Sequence, residues 1–138
     1  MKFYTVKTPK LVKSLFPKLV WEFSVSKKTI YLTFDDGPIP EVTPWVLEQL
    51  STYNAKATFF CIGDNVKKHP TIYHDIIEKG HAIGNHTQHH VNAWKVSNKT
   101  YISEAQLCEE TLLANLQATK KIHPKLFDLR GHIQSRCR

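Results

Sequence analysis

Thr29-Ile30-Tyr31-Leu32-Thr33-Phe34-Asp35-Asp36-Gly37-Pro38 is the stretch from which the rest of the chain can be read. β-Branched and aromatic residues fill 29–34, which predicts a strand, and Gly37-Pro38 then turns the backbone. Side chains alternate across a strand, so Asp35 and Asp36 can take different tasks only where strand gives way to turn. Further along stands His86-Thr87-Gln88-His89-His90. One carboxylate with two neutral imidazoles four residues apart makes the three-donor, open-position set of a catalytic metal site. Each half has a plainer reading. Asp-Asp-Gly-Pro is good turn chemistry by itself, and a chain with eight histidines holds chance pairs at this spacing. Together they say more, because each follows a strand-like segment and precedes helix-like sequence.

Outward from these two stretches the pattern alternates. Residues 41–53 predict a helix with Val42, Trp45, Val46 and Leu50 on one face and Trp45 in the core. Residues 57–62 predict a strand, and 64–68 and 71–79 predict helices divided by Pro70. Residues 81–84 predict a short strand, and 101–119 a helix with Ile102, Ala105, Leu112, Leu113 and Leu116 apolar. Residues 125–127 begin another strand. Strands separated by helices indicate βαβ units and a mainly parallel sheet. Sites in such sheets gather at strand carboxyl ends, where Asp35, Asp36 and His86 fall. No internal repeat, low-complexity tract or linker interrupts the pattern.

Thr33-Phe34-Asp35-Asp36-Gly37-Pro38 followed by the His86-Thr87-x-x-His90 segment resembles the polysaccharide deacetylases, the NodB-homology carbohydrate esterases. Lys56-Ala57-Thr58-Phe59-Phe60-Cys61-Ile62-Gly63 resembles that family's second strand, and Gly80-His81-Ala82-Ile83-Gly84-Asn85-His86-Thr87 its third. The resemblance runs from about residue 28 to about residue 126. It implies an α/β fold, a partial, distorted β/α barrel, and metal-dependent hydrolysis of N-acetyl groups on amino-sugar polysaccharides. It implies Asp35 as the catalytic base and Asp36, His86 and His90 as metal ligands. The choice of His90 over His89 comes from the family's spacing alone. The implied cofactor is a divalent ion, zinc first, with cobalt or another divalent ion as substitutes. The implied partner is an N-acetylated polysaccharide or oligosaccharide.

The residues suit that chemistry. An amide is a poor electrophile and water at neutral pH a poor nucleophile; a divalent metal polarises the carbonyl and lowers the pKa of bound water toward about 7. A neighbouring carboxylate then takes the proton. Thr87, between the two histidines, is expected to bond to the loop backbone and fix their geometry. Trp94 is either a packing residue or a platform that stacks on a sugar ring. His81 and His89 are expected at the surface or in support rather than as ligands.

The carboxyl-terminal part departs from the family. Where the resemblance calls for an Arg-Pro-Pro-Tyr-Gly motif, the chain reads Pro124-Lys125-Leu126-Phe127-Asp128-Leu129-Arg130-Gly131-His132. The later strands, with the histidine that serves as general acid, have no counterpart, and His132 does not match that position. Every basic residue up to Lys125 is lysine, whereas Arg130, Arg136 and Arg138 are all arginine. A reading-frame slip near Asp128 accounts for both features, so residues 28–138 are expected to be a truncated deacetylase domain, atypical from about 128. Such a chain is either an active deacetylase or an inactive metal- or sugar-binding remnant.

At 138 residues the chain suits one domain, and 41% hydrophobic content is ordinary for a soluble protein. The formal charge of +7 leaves a third class open, a basic nucleic-acid-binding module, but the lysines are scattered and no binding motif accompanies them. The expectation is therefore no nucleic acid. Cys61, Cys108 and Cys137 lack metal-type spacing; Cys61 reads as a core thiol and no disulfide framework is implied. Residues 1–27 read as an amphipathic extension, with apolar residues between Leu11 and Val20 at helical spacing, broken by Pro17. It reads as packing on the domain, with an interfacial anchor as the alternative. It has neither a signal-peptide core nor the length to span a membrane. That leaves the cytoplasm by default and the cell envelope by family resemblance. The sequence does not specify an oligomeric state.

Overall fold

In a computed structural model, residues 8–21, 26 and 28–122 are described, with side chains in the last helix described as far as residue 117. The chain divides into two compact units, residues 1–30 and 31–138. The first contains a short helix, α1 (Lys10–Leu15), which ends before Pro17. There Trp21 Nε1 donates to the Phe16 carbonyl at 3.1 Å.

The second unit runs β1 (Leu32–Asp35), α2 (Val42–Thr52), β2 (Ala57–Cys61), α3 (Gly63–Lys68), α4 (Pro70–Glu78), β3 (Ala82–Asn85) and α5 (Asn98–Ile122). The three strands form one parallel sheet in the order β1-β2-β3. Leu32 pairs with Ala57 and Asp35 with Phe60; Phe60 in turn pairs with Gly84 and Cys61 with Asn85. Parallel neighbours need crossovers, and the helices between the strands supply them. The result is an incomplete β/α barrel.

β2 is central, and its alternation separates the two faces. Ala57, Phe59 and Cys61 are buried, while Thr58 and Phe60 are half-buried. The buried set belongs to a core with Leu47 and Leu50 of α2, Val66 of α3, Tyr73, Ile76 and Ile77 of α4, Ile83 of β3, and Cys108 and Leu112 of α5. Phe34 stacks on Phe59 at 5.1 Å between centroids, within the range that favours aromatic pairs. Tyr73 is buried, and its hydroxyl donates to the Leu112 carbonyl at 3.1 Å, tying α4 to α5. Burial pushes the Cys61 thiol up to about 12 and raises that of Cys108, so both remain protonated core side chains.

Local chemistry explains the boundaries. Ile39 N–H donates to Thr43 Oγ1 at 3.0 Å, closing the entry to α2, and Pro44 is tolerated in that helix's first turn. Residues before a proline avoid the α conformation; His69 (φ −131°, ψ 56°) duly separates α3 from α4, which starts at Pro70.

Several expectations are corrected. β1 starts at Leu32 rather than residue 29 and runs through Asp35, and α5 begins three residues before 101. Trp45 is 60% exposed rather than in the core. α2 buries the line Thr43, Leu47 and Leu50, and at 100° per residue Trp45 lies about 200° from Leu47. Ile102 and Leu113 are exposed for the same reason, because α5 buries Cys108, Thr111 and Leu112. Of the two places open to His81, surface or support, it takes the second: it is buried and accepts from Ala57 N–H. The strand expected at 125–127, His132 and the atypical stretch from 128 lie outside the described residues.

Candidate metal centre

Three strand ends converge at the carboxyl edge of the sheet. Asp36 follows β1, Ile62 follows β2 and His86 follows β3. The loops are fastened by hydrogen bonds that continue the ladder: Ile62 N–H donates to the Gly37 carbonyl at 2.9 Å, and His86 N–H to the Cys61 carbonyl at 3.0 Å. Asp36 has φ 68°, a left-handed conformation that costs a non-glycine residue about 1–2 kcal/mol. Asn65 of α3 holds this turn, its Nδ2 donating to the Asp36 carbonyl at 2.8 Å.

The histidine segment is more tightly tied. Thr87 and His90 also have positive φ, 64° and 55°. The Thr87 amide donates to Asn85 Oδ1 at 2.9 Å, its hydroxyl accepts from Val91 N–H at 3.1 Å, and its carbonyl accepts from Gly63 N–H at 3.1 Å. The next carbonyl, of Gln88, accepts from Asp64 N–H at 3.0 Å. The first amides of a helix lack partners within it, so α3 serves as the clamp for this loop. Asn85 is fixed in turn by α5, its Nδ2 donating to the Ala105 carbonyl at 2.7 Å. Gln88 is fully buried beside Asp64, Leu107 and Thr111.

This scaffold brings Asp36, His86 and His90 together. Asp36 Oδ1 lies 3.1 Å from His86 Nε2 and 3.1 Å from His90 Nε2, and the two rings are 5.1 Å apart. One donor atom from each residue falls within 4.8 Å of the other two. One carboxylate oxygen and two imidazole nitrogens of this kind suit a divalent ion such as zinc, with three protein donors and positions left open. The side chains are 60%, 32% and 58% exposed respectively, so a substrate can reach them. Asp35 is exposed at the last position of β1, beside Asp36 and outside this three-residue group. Trp94, 97% exposed, lies in the turn after the histidines. His89 is set apart from its neighbours: its Nδ1 is 3.0 Å from Glu104 and its Nε2 3.8 Å from Asp64.

The supporting residues Asn65, Asn85, Gln88 and Glu104 were not singled out by the sequence reading. Their roles depend on contacts between α3, α5 and the loop, and no local pattern announces such contacts. The nearest signal was the polar Asn85 directly before His86.

The polysaccharide deacetylase family profile matches residues 23–131. A peptidoglycan-N-acetylglucosamine deacetylase of Bacillus cereus is 44% identical over 97 residues, which is 69% of this chain and 35% of that protein. The crystal structure of a peptidoglycan N-acetylglucosamine deacetylase superposes with a TM-score of 0.60 at 46% identity, covering 62% of this chain and 40% of that one. A family 4 acetyl xylan esterase from Clostridium thermocellum, solved with a cobalt ion, superposes with a TM-score of 0.59 at 31% identity, covering 63% of this chain and 43% of that one. The chain thus spans about 35–43% of the length of these relatives.

Proposed function

The chain belongs to the polysaccharide deacetylase family, and from that membership we propose that it acts as a metal-dependent hydrolase removing N-acetyl groups from amino-sugar polysaccharides. The observation that carries the reading is the single Asp36 oxygen facing both His86 Nε2 and His90 Nε2 at 3.1 Å. In this proposal Asp36, His86 and His90 hold a divalent ion, zinc or its substitute cobalt. When bound, that ion would polarise the acetyl carbonyl and favour ionisation of the attacking water.

The remaining steps fall to this chain's side chains. Asp35, exposed beside the donor set, takes the proton from the attacking water as general base. Thr87 fixes the loop between the two histidines through the hydrogen bond from Val91 N–H. Trp94, with almost its whole surface open, offers a face on which a pyranose ring stacks. The substrate class is a polymer or oligomer of N-acetylated sugars, as the names of the relatives suggest.

Titration of the metal-free chain with cobalt, read by the visible absorption of the bound ion, tests the ligand assignment. The wild type should take up one ion, and Asp36→Asn, His86→Ala and His90→Ala should each abolish or severely weaken uptake. Asp35→Asn should bind nearly as the wild type does, yet release no acetate from an N-acetylated chito-oligosaccharide. Equal loss of metal binding in Asp35→Asn and Asp36→Asn would overturn the division of labour between the two carboxylates.

A further inference from the structure

Glu104, in the second turn of α5, has no place in the chemistry above, yet its side chain meets both the backbone and the ring of His89 in the histidine loop. Its Oε2 accepts from the His89 backbone N–H at 3.0 Å, and both carboxylate oxygens lie 3.0 Å from His89 Nδ1. An ionised carboxylate only accepts, so the contact suits a His89 ring with hydrogen on Nδ1. The backbone carbonyl of the same residue accepts from Gln88 N–H at 3.1 Å. Glu104 therefore secures two consecutive amides and one ring of the loop, and its own side chain is only 17% exposed.

That loop is under conformational load. Thr87 and His90 both hold positive φ, and Thr87 is β-branched, for which this region is a genuine outlier. Such residues persist only where the surroundings over-determine them. On the amino-terminal side of the loop, Asn85 and the amides of Gly63 and Asp64 do this. On the His90 side, the residue next to the proposed ligand is held by Glu104. Releasing His89 N–H lets the His90 backbone relax toward negative φ, which turns Nε2 away from Asp36.

The geometry points to Glu104 as a positioning residue that sets the affinity of the Asp36, His86 and His90 site by locking the loop through His89. This rests on the metal-binding reading proposed above. Partners that orient ligands in this indirect way typically change metal affinity about 10–100-fold when removed. Glutamine keeps an oxygen that can accept from His89 N–H, whereas alanine leaves nothing.

The test pairs Glu104→Ala with Glu104→Gln and uses two readouts. Amide hydrogen exchange in the metal-free chain should show faster exchange at His89 in the alanine variant, whose backbone carbonyl still holds Gln88 N–H, and nearly wild-type protection in the glutamine variant. Cobalt titration should show affinity about 10–100-fold weaker for alanine and within a few-fold of wild type for glutamine. Thermal midpoints check that both variants remain folded. Faster exchange with unchanged cobalt affinity would overturn the inference, as would unchanged exchange in a folded Glu104→Ala chain. If the wild type takes up no cobalt while the exchange results hold, the metal reading fails and the loop clamp stands as a structural device alone.

Discussion

Thr87 uses every polar group it has: its amide donates to Asn85, its carbonyl accepts from Gly63 and its hydroxyl accepts from Val91. Those bonds offset a left-handed backbone that a β-branched side chain disfavours. Thr87→Val keeps the shape and removes the acceptor, so cobalt affinity should fall about 10-fold, while Thr87→Ser should bind as the wild type does. Equal affinities in all three, by titration, would show that the hydroxyl does not position the loop. His81 makes a different prediction. Its Nδ1 accepts from Ala57 N–H at 3.3 Å, and burial, then Lys56 and Lys79, hold its pKa below the ordinary histidine value. The unfolded chain takes up the proton near pH 6.5, whereas the folded chain resists it. The unfolded state therefore binds more protons, and stability is lost as pH falls from about 6.5 toward the lower folded value. Urea midpoints at pH 7.5 and 5.5 should show this drop, and His81→Gln should flatten it.

At the scale of elements, α3 links the sheet to the candidate site, and Gly63 at its first position is where that link is tightest. A Cβ there would collide with the Gln88 side-chain amide, 2.6 Å from its Cδ. Gln88 is fully buried, so it cannot swing into solvent to make room. Gly63→Ala should cost about 1–3 kcal/mol, the range for overpacking, with an unchanged urea m-value. A urea midpoint equal to wild type would mean that the loop shifts freely, contrary to the bonds from Gly63 and Asp64. Helix faces show where element-level reading fails. The spacing of Val42, Trp45, Val46 and Leu50 placed a helix correctly and put Val46 and Leu50 against the core, but Val42 and Trp45 face outward. In α5, Cys108 and Thr111 join Leu112 in the buried line, while the apolar Ile102 and Leu113 are exposed.

At the scale of the whole molecule, the described sheet has β1 and β3 as its outer strands, and among the described residues nothing pairs with their free sides. No helix among the described residues is long and apolar enough to cross a membrane. Asp35 ends β1, Asp36 follows it, and His86 and His90 lie on the loop after β3. The proposed reaction also needs an oxyanion donor and an acid for the leaving amine, worth about 10²–10³ and 10²–10⁴ in rate. The resemblance to the family implies its third motif as one source of these groups, and residues 124–132 depart from that motif. Acetate release by this chain should therefore fall at least about 100-fold below that of the same chain with the Arg-Pro-Pro-Tyr-Gly motif restored in place of residues 128–132. Comparable turnover numbers would show that the residues present suffice.

The sequence by itself determined the alternation of strands and helices and put Asp35, Asp36 and a histidine cluster at 86–90 forward as candidates at strand carboxyl ends. These are legible because strand period, turn chemistry and donor type are local properties of the chain. Choosing His90 over His89 needed the family's spacing. The structure places His90 Nε2 against Asp36, while His89 turns to Glu104 and Asp64. Tertiary structure alone decided which faces of α2 and α5 are buried and that His81 lies inside. It also decided that α3 and α5 grip the loop through Asn65, Gln88 and Glu104. Those outcomes depend on how elements distant in sequence rotate and approach one another, and a residue's neighbours along the chain carry almost no record of that.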